Sequence, residues 1–216
     1  RSLGFMKVKN ITTQTLQRLP LYLNYLKSLP VNAPSNTSAT IIADALGFND
    51  VQVRKDLASV SDGGKPKIGY ITADLIADIE DALGYNDTHS AVIVGVGNLG
   101  HALMAFEGFN ECGLDIVAGF DINDDVVGTK IKGKPIFAMD KLQNLCQRLK
   151  VNIGIITVPV YTAQEACDQL VASGIKAIWN FAPTHLNVPD GVLVQNENMA
   201  SSLVILSKHL TENISA

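Results

Sequence analysis

An apolar run at residues 91–94 leads directly into Gly95-Val96-Gly97-Asn98-Leu99-Gly100, and an acid, Asp121, follows the last of these glycines by twenty-one residues. A strand entering a G-x-G-x-x-G turn, a helix leaving it, and an acid closing a second strand confine this part of the chain to a βαβ unit that carries a dinucleotide site. Gly95 permits the sharp turn, Gly97 lets backbone approach a pyrophosphate with no Cβ between them, and Gly100 allows the helix to lie close on the strand. The backbone of Val96, Asn98 and Leu99 completes the turn, so phosphates would sit at the helix N-terminus, where N–H groups and the dipole favour negative charge. Asp121, with Ile122 beside it, faces the ribose; a carboxylate there bonds the hydroxyls of NAD and repels the 2′-phosphate of NADP.

Strands and helices alternate through the rest of this region. Strands are expected at 116–120, 135–138, 153–158, 177–181 and 192–194, and helices at 98–107, 140–148 and 163–173, with Leu99, Ala102, Leu103 and Phe106 facing inward on the first. The pattern describes a Rossmann-type, doubly wound, mostly parallel sheet. Thr157-Val158-Pro159 and Asn180-Phe181-Ala182-Pro183 end two of these strands at the carboxyl edge, where such sheets bind ligands, and are expected to wall a nicotinamide pocket. A last helix over 199–210 carries Met199, Leu203, Leu206 and Leu210 on one side and needs a surface to bury against.

The residues before the sheet have a different character. Net charge is +5 over residues 1–70 and −9 over 71–216, a basic head on an acidic body. That asymmetry fits a head that meets a polyanion. Leu16, Leu19, Leu23 and Leu26 mark a helix over 13–29, with Pro20 in its first turn or at a kink, and 31–37 reads as a loop. Ser38 caps a short helix that stops at Gly47, and Asn49 caps the next, over 51–60, which gives a helix-turn-helix. Gln52, Arg54, Lys55 and Ser59 on that second helix can reach base edges or phosphates. Residues 61–70 read as a hairpin wing with Lys65 and Lys67 near its tip, and Leu75, Ile76, Ile79 and Leu83 mark a further helix that stops at Gly84.

Several function classes are disfavoured. No apolar run approaches the roughly 20 residues of a membrane span, and no leader is evident at Arg1–Phe5 or after Met6, so a cytoplasmic protein is expected. Cys112, Cys146 and Cys167 are far apart with no metal-ligand spacing, which fits a reducing compartment and no metal site. His89, His101, His185 and His209 are scattered and lack an orienting partner in sequence, so no catalytic residue is assigned. A small NAD-dependent oxidoreductase and a non-redox nucleotide or coenzyme A module remain the alternatives.

Taken in order, Arg18-Leu-Pro-Leu-Tyr22-Leu, Gln52-Val-Arg54-Lys55-Asp56-Leu57, Gly69-Tyr70, the glycine turn, Thr157-Val-Pro159, Ser173-Gly-Ile-Lys176 and Asn180-Phe-Ala-Pro183 resemble the Rex family of redox-sensing transcriptional repressors over essentially the whole chain. The resemblance implies a winged-helix DNA-binding domain at 1–85, an NAD(H)-binding Rossmann domain at 86–196 and a domain-swapped dimerisation helix at 197–216. It implies a homodimer on an AT-rich inverted repeat of double-stranded operator DNA, with Arg18 among the DNA-binding residues, released by NADH and not by NAD. The cofactor is then a signal, held in a pocket of Phe106, Val158, Phe181 and Pro183 whose apolar character favours neutral NADH over the nicotinamide cation. The chain departs from the commonest family pattern at Ala58-Ser-Val-Ser-Asp-Gly-Gly64. An Arg, Asp and Tyr network that couples cofactor to DNA in some members is matched here by Asn24, Asn198 and Phe106, which cannot form that ion pair.

Overall fold

The computed structural model describes residues 11–214, which divide into two compact units between Asp87 and Thr88. The expectations about a leader at residues 1–10 lie outside the described residues.

The first unit holds α1 (Thr13–Ser28), β1 (Asn36–Thr37), α2 (Ala39–Leu46), α3 (Asp50–Val60), β2 (Tyr70–Ile71) and α4 (Thr72–Ala82). Thr12, Ser38 and Asn49 each cap a helix by accepting backbone N–H groups, and Gly47 ends α2 in the left-handed conformation. Leu19, Tyr22, Leu23 and Leu26 of α1 pack with Ile42, Val53, Leu57, Leu75 and Ile79 into one core. α1 continues through Pro20, which lies past its first turn, and its buried stripe includes Tyr22 in place of the expected Leu16, which is exposed.

The expected wing is built differently. Lys65 and Gly69 close a tight turn, but the strand after it, β2, pairs antiparallel with β1, in a segment expected to be loop. Gly69 explains this: at φ +81° it turns the chain so closely past the Thr37 carbonyl that any Cβ would collide with it.

The second unit begins with β3 (His89–Val94), α5 (Asn98–Ala105), α6 (Gly108–Glu111), β4 (Leu114–Asp121), β5 (Lys130–Ile131) and β6 (Lys134–Ala138). It continues with a 3-10 turn at Met139–Lys141, α7 (Leu142–Leu149), β7 (Ile153–Ile156), α8 (Val160–Ala172), β8 (Ala177–Asn180), β9 (Leu193–Asn196) and α9 (Met199–Ile214). The sheet order is β5-β6-β4-β3-β7-β8-β9, parallel except for the β5–β6 hairpin, which the sequence reading lacked, as it lacked α6.

Alternate residues of β3 serve opposite cores. Val92 and Val94 pack with Phe120, Ile156 and residues of α7 and α8, while Ala91 and Ile93 pack with Met104, Ile116 and Ile136. Burial on both faces is why the central strands read as continuous apolar runs. Val94 pairs with both Phe120 and Ile156, and Ile156 with Asn180. Residues Gly95, Asp121, Thr157 and Phe181 therefore come level at the carboxyl edge.

α5 ends two residues earlier than expected. Phe106 is its extended C-cap and more than half exposed, Ala102 is exposed, and Met104 is the buried side chain of that face. Gly108, two residues on, starts α6 instead of continuing the helix.

Candidate functional site

A cleft of about 1160 Å³ opens at the carboxyl edge where the strand order reverses, between β3 and β7. This is the topological switch point at which open α/β sheets take their ligands. Gly95, at φ +92°, has no room for a side chain against Val158 and Thr157, and a Cβ on Gly100 would run into the Gly95 carbonyl oxygen. A Cβ on Gly97, by contrast, would meet no protein atom within 4 Å. The bare backbone at Gly97 faces the cleft, and α5 starts there without a side-chain cap. An elongated ligand with a pyrophosphate fits these features: open backbone at Gly97 and the uncapped positive end of a helix.

Asp121 closes the far wall. One carboxylate oxygen accepts the Val96 N–H at 2.6 Å and the other accepts the Asn123 N–H at 2.9 Å. Each oxygen retains acceptor capacity toward a ribose hydroxyl. Ile122 beside it is 84% exposed within the cleft, apolar surface that a planar base would cover.

On the opposite side Thr157 turns its hydroxyl onto the Gly95 carbonyl at 2.6 Å, so it locks the glycine turn to β7 as well as lining the cleft. Val158, Pro159, Phe181, Ala182 and Pro183 also line it, and so do Val96, Asn98 and Leu99. Three expected contacts do not. Gly100 is buried beneath the turn. Asn180 is wholly buried: its amide donates to the Ala182 and Thr184 carbonyls and to Asn196 Oδ1, and its oxygen accepts the Ala182 N–H, so it shapes the 180–184 turn from inside.

Phe106 stands off the cleft, its ring edge-on to Phe109, which meets Trp179, which in turn packs on Phe181 at 4.6 Å. Its link to the cleft is through three other rings. His101, to which no role was assigned, lines the cleft, as do Asn123, Met139, Tyr161, Glu165 and Gln169, which no motif marked. Their approach depends on which faces of α5 and α8 reach the switch point and on how the turns after β4 and β6 curl over it, which no local motif encodes. Among the described residues no group of His, Cys, Asp and Glu could hold a metal ion.

The first unit contains a second polar constellation, centred on Asp56 of α3, whose side chain is 2% exposed. Arg18 donates to both of its oxygens, Nε to Oδ2 at 2.7 Å and Nη2 to Oδ1 at 2.9 Å. Thr15 Oγ1 and Gln52 Nε2 donate to Oδ1 at 3.0 Å, and the Tyr22 hydroxyl to Oδ2 at 2.9 Å. Burial pushes the Asp56 carboxyl up, but the hydrogen bonds from Arg18, Tyr22, Thr15 and Gln52 outweigh it and hold the group below its ordinary value. Burial and then the same carboxylate push the Tyr22 phenol up to about 12.

Arg18, expected to reach DNA, is therefore spent inside the unit, and Ser59 donates its hydroxyl to the Asp56 carbonyl at 2.6 Å. Arg54 and Lys55 remain exposed on α3, with Arg54 in an exposed pair with Asp50 that contributes little and is easily exchanged. Lys65 and Lys67 are exposed on the tight turn, Lys67 at φ +65°.

Residues 86–184 match the family model described as "CoA binding domain", and residues 10–58 the one described as "Putative DNA-binding protein N-terminus". A protein of Porphyromonas gingivalis named redox-sensing transcriptional repressor Rex is 43% identical over 203 residues, covering 94% of this chain and 93% of its own. The protein of that name from Bacteroides fragilis is 41% identical over 199 residues, covering 92% and 90%. The crystal structure of RSP in complex with beta-NAD+ and operator DNA superposes with a TM-score of 0.87 at 33% identity, covering 94% of each chain. That of RSP in complex with beta-NADH gives 0.86 at 33% identity, covering 94% and 96%.

Proposed function

The chain belongs to the Rex family of redox-sensing transcriptional repressors, and from that premise we propose that it binds operator DNA through its first unit and NADH or NAD in the cleft of its second. The observation that carries this reading is the conjunction of a cleft built for a dinucleotide with an exposed Arg54, Lys55, Lys65 and Lys67 on the helix-turn-helix unit.

Gly97 and the first turn of α5 would hold the pyrophosphate, Asp121 the ribose hydroxyls, and Val158, Phe181 and Pro183 the nicotinamide. NAD carries a cationic nicotinamide ring and NADH a neutral one, so apolar walls favour the reduced form by sparing it the cost of a desolvated charge. That difference in affinity is what a redox signal needs: NADH draws the population toward whichever form of the protein binds it better, and DNA draws it toward the other. The cofactor is read, not consumed, and the role is regulatory. Such a regulator works where its operator is, in the cytoplasm; among the described residues no helix is long and apolar enough to cross a membrane.

The protein acts as a homodimer on an inverted repeat, with α9 exchanged between subunits. Supporting this, Met199, Leu203, Leu206 and Leu210 of α9 are each more than half exposed. An apolar face of that size on a 16-residue helix is normally covered by a partner.

The match to a coenzyme A-binding family model makes coenzyme A the alternative ligand for the same cleft. Isothermal titration with NADH, NAD, NADPH and coenzyme A tests the choice. NADH should bind most tightly and coenzyme A should not displace it; displacement by coenzyme A would overturn the reading of the cleft.

A further inference from the structure

We propose that Gln52 is an adenine-reading residue set in place by Asp56, and that Arg18 determines base selectivity as a positioning residue without touching DNA. The proposal rests on the DNA-binding reading above.

Asp56 is ionised and can only accept hydrogen bonds, so the side of the Gln52 amide that faces it must be the NH2. Five bonds already reach its two oxygens, which fills their acceptor capacity and leaves the carboxylate nothing to offer DNA. Gln52 itself lies exposed in the first turn of α3, the part of a recognition helix that meets base edges. With one N–H held by Asp56, it presents a carbonyl oxygen and one remaining N–H.

In the major groove adenine offers a donor, N6, beside an acceptor, N7, and satisfies both of those groups. Guanine offers two acceptors and would set O6 against the Gln52 carbonyl, while thymine and cytosine satisfy one group each. A glutamine already anchored at its amide also loses less rotamer freedom on binding than one that is free.

Arg18 enters through Asp56. Its Nε and Nη2 make a two-point pair with the carboxylate, and Thr15 and Tyr22 of the same helix add single bonds. Together they fix the oxygen to which Gln52 is tied. Lysine cannot reproduce the planar two-point contact.

The test uses the full chain and a duplex that the protein itself enriches from random-sequence DNA. Each adenine is replaced singly by purine, which lacks the N6 amine, or by 7-deazaadenine, which lacks N7. At one adenine in each half-site both replacements should weaken wild-type binding by roughly 5- to 150-fold. Gln52→Met should lose that sensitivity at that position and keep it elsewhere. Arg18→Lys should blunt the same position with unchanged affinity for NADH. Tyr22→Phe, which preserves volume, should act in the same direction and serves if Arg18→Lys lowers helical circular dichroism. Full sensitivity at every adenine in Gln52→Met, or in both Arg18→Lys and Tyr22→Phe, overturns the proposal while leaving DNA binding in place. If the wild-type chain enriches no duplex, the repressor reading itself falls and this one with it.

Discussion

The carboxylate of Asp121 accepts the backbone N–H of Val96 at 2.6 Å, so the acid that ends the second strand of the unit is tied to the glycine turn that ends the first. The register places them level: Val94 pairs with Phe120, and the residues after each meet at the sheet edge. Asp121 therefore holds the turn, and in the proposed site the same carboxylate would face the ribose. Asp121→Ala should weaken NADH by roughly 10- to 150-fold, the range for losing a hydrogen bond to a charged group. It should weaken NADPH less, because a repulsive charge is removed as well. Titration calorimetry with both nucleotides measures the gap, and an unchanged ratio would take Asp121 out of the ribose site.

Gly97 and Gly100 make opposite predictions from one motif. Gly97 has an ordinary negative φ and open space where a Cβ would go, so Gly97→Ala should melt within a degree or two of wild type while losing most of its dinucleotide affinity. Gly100→Ala must push α5 off the Gly95 carbonyl and should destabilise the unit by about 1–3 kcal/mol, the usual cost of overpacking. Thermal melts with and without NADH separate the two.

The Asp56 constellation makes stability depend on pH at both ends. Its carboxyl titrates below the ordinary value near 3.9, so its contribution is present above that value and is lost as pH falls through the folded one. Tyr22 is displaced upward, from 10.0 to about 12, so its contribution is present below pH 10 and is lost as pH rises toward 12. Asp56→Ala should cost about 3–5 kcal/mol near neutrality, because Arg18 is left without its partner, and should flatten the acid limb. Circular dichroism melts between pH 3 and 7 check this; a parallel acid limb in the variant would assign the loss to other groups.

Helix α9 is where the proposed dimer is most directly exposed to test. Leu203 and Leu206 are 67% and 64% exposed. The pair Leu203→Glu and Leu206→Glu should yield a monomer by light scattering that still binds NADH and has lost most of its operator affinity, since one half-site cannot replace two. A dimer of unchanged strength would place the interface elsewhere.

The parts legible in sequence were those with a local signature. The caps Ser38 and Asn49, the stop at Gly47, the apolar runs of the central strands and the glycine turn each follow from a few adjacent residues. The fold of the wing was less legible because β1 and β2 are two residues long, too short for alternation to register. Phe106 was misplaced by extending a helical stripe two residues beyond the helix end, although Gly108 was a warning that the helix stops. Asn180 was taken for a ligand contact because it ends a strand beside the cleft; its partners are carbonyls brought round by the following turn and Asn196 of the neighbouring strand.

The family resemblance put Arg18 among the DNA contacts, whereas Gln52 stood there by its polarity on α3. One feature nearby pointed inward: Asp56 lies between Val53 and Leu57 on the buried stripe of α3, and an acid on an apolar stripe requires donors. Which residues donate is a property of how α1 crosses α3, and that is not written in either helix alone.

The most direct measurement is fluorescence anisotropy of a labelled inverted-repeat operator, saturated with the protein at fixed salt and titrated separately with NADH and NAD. NADH should release the duplex at concentrations where NAD leaves the complex intact. Release at equal concentrations of the two, or by neither, would contradict a repressor that reads the redox state of its nicotinamide cofactor.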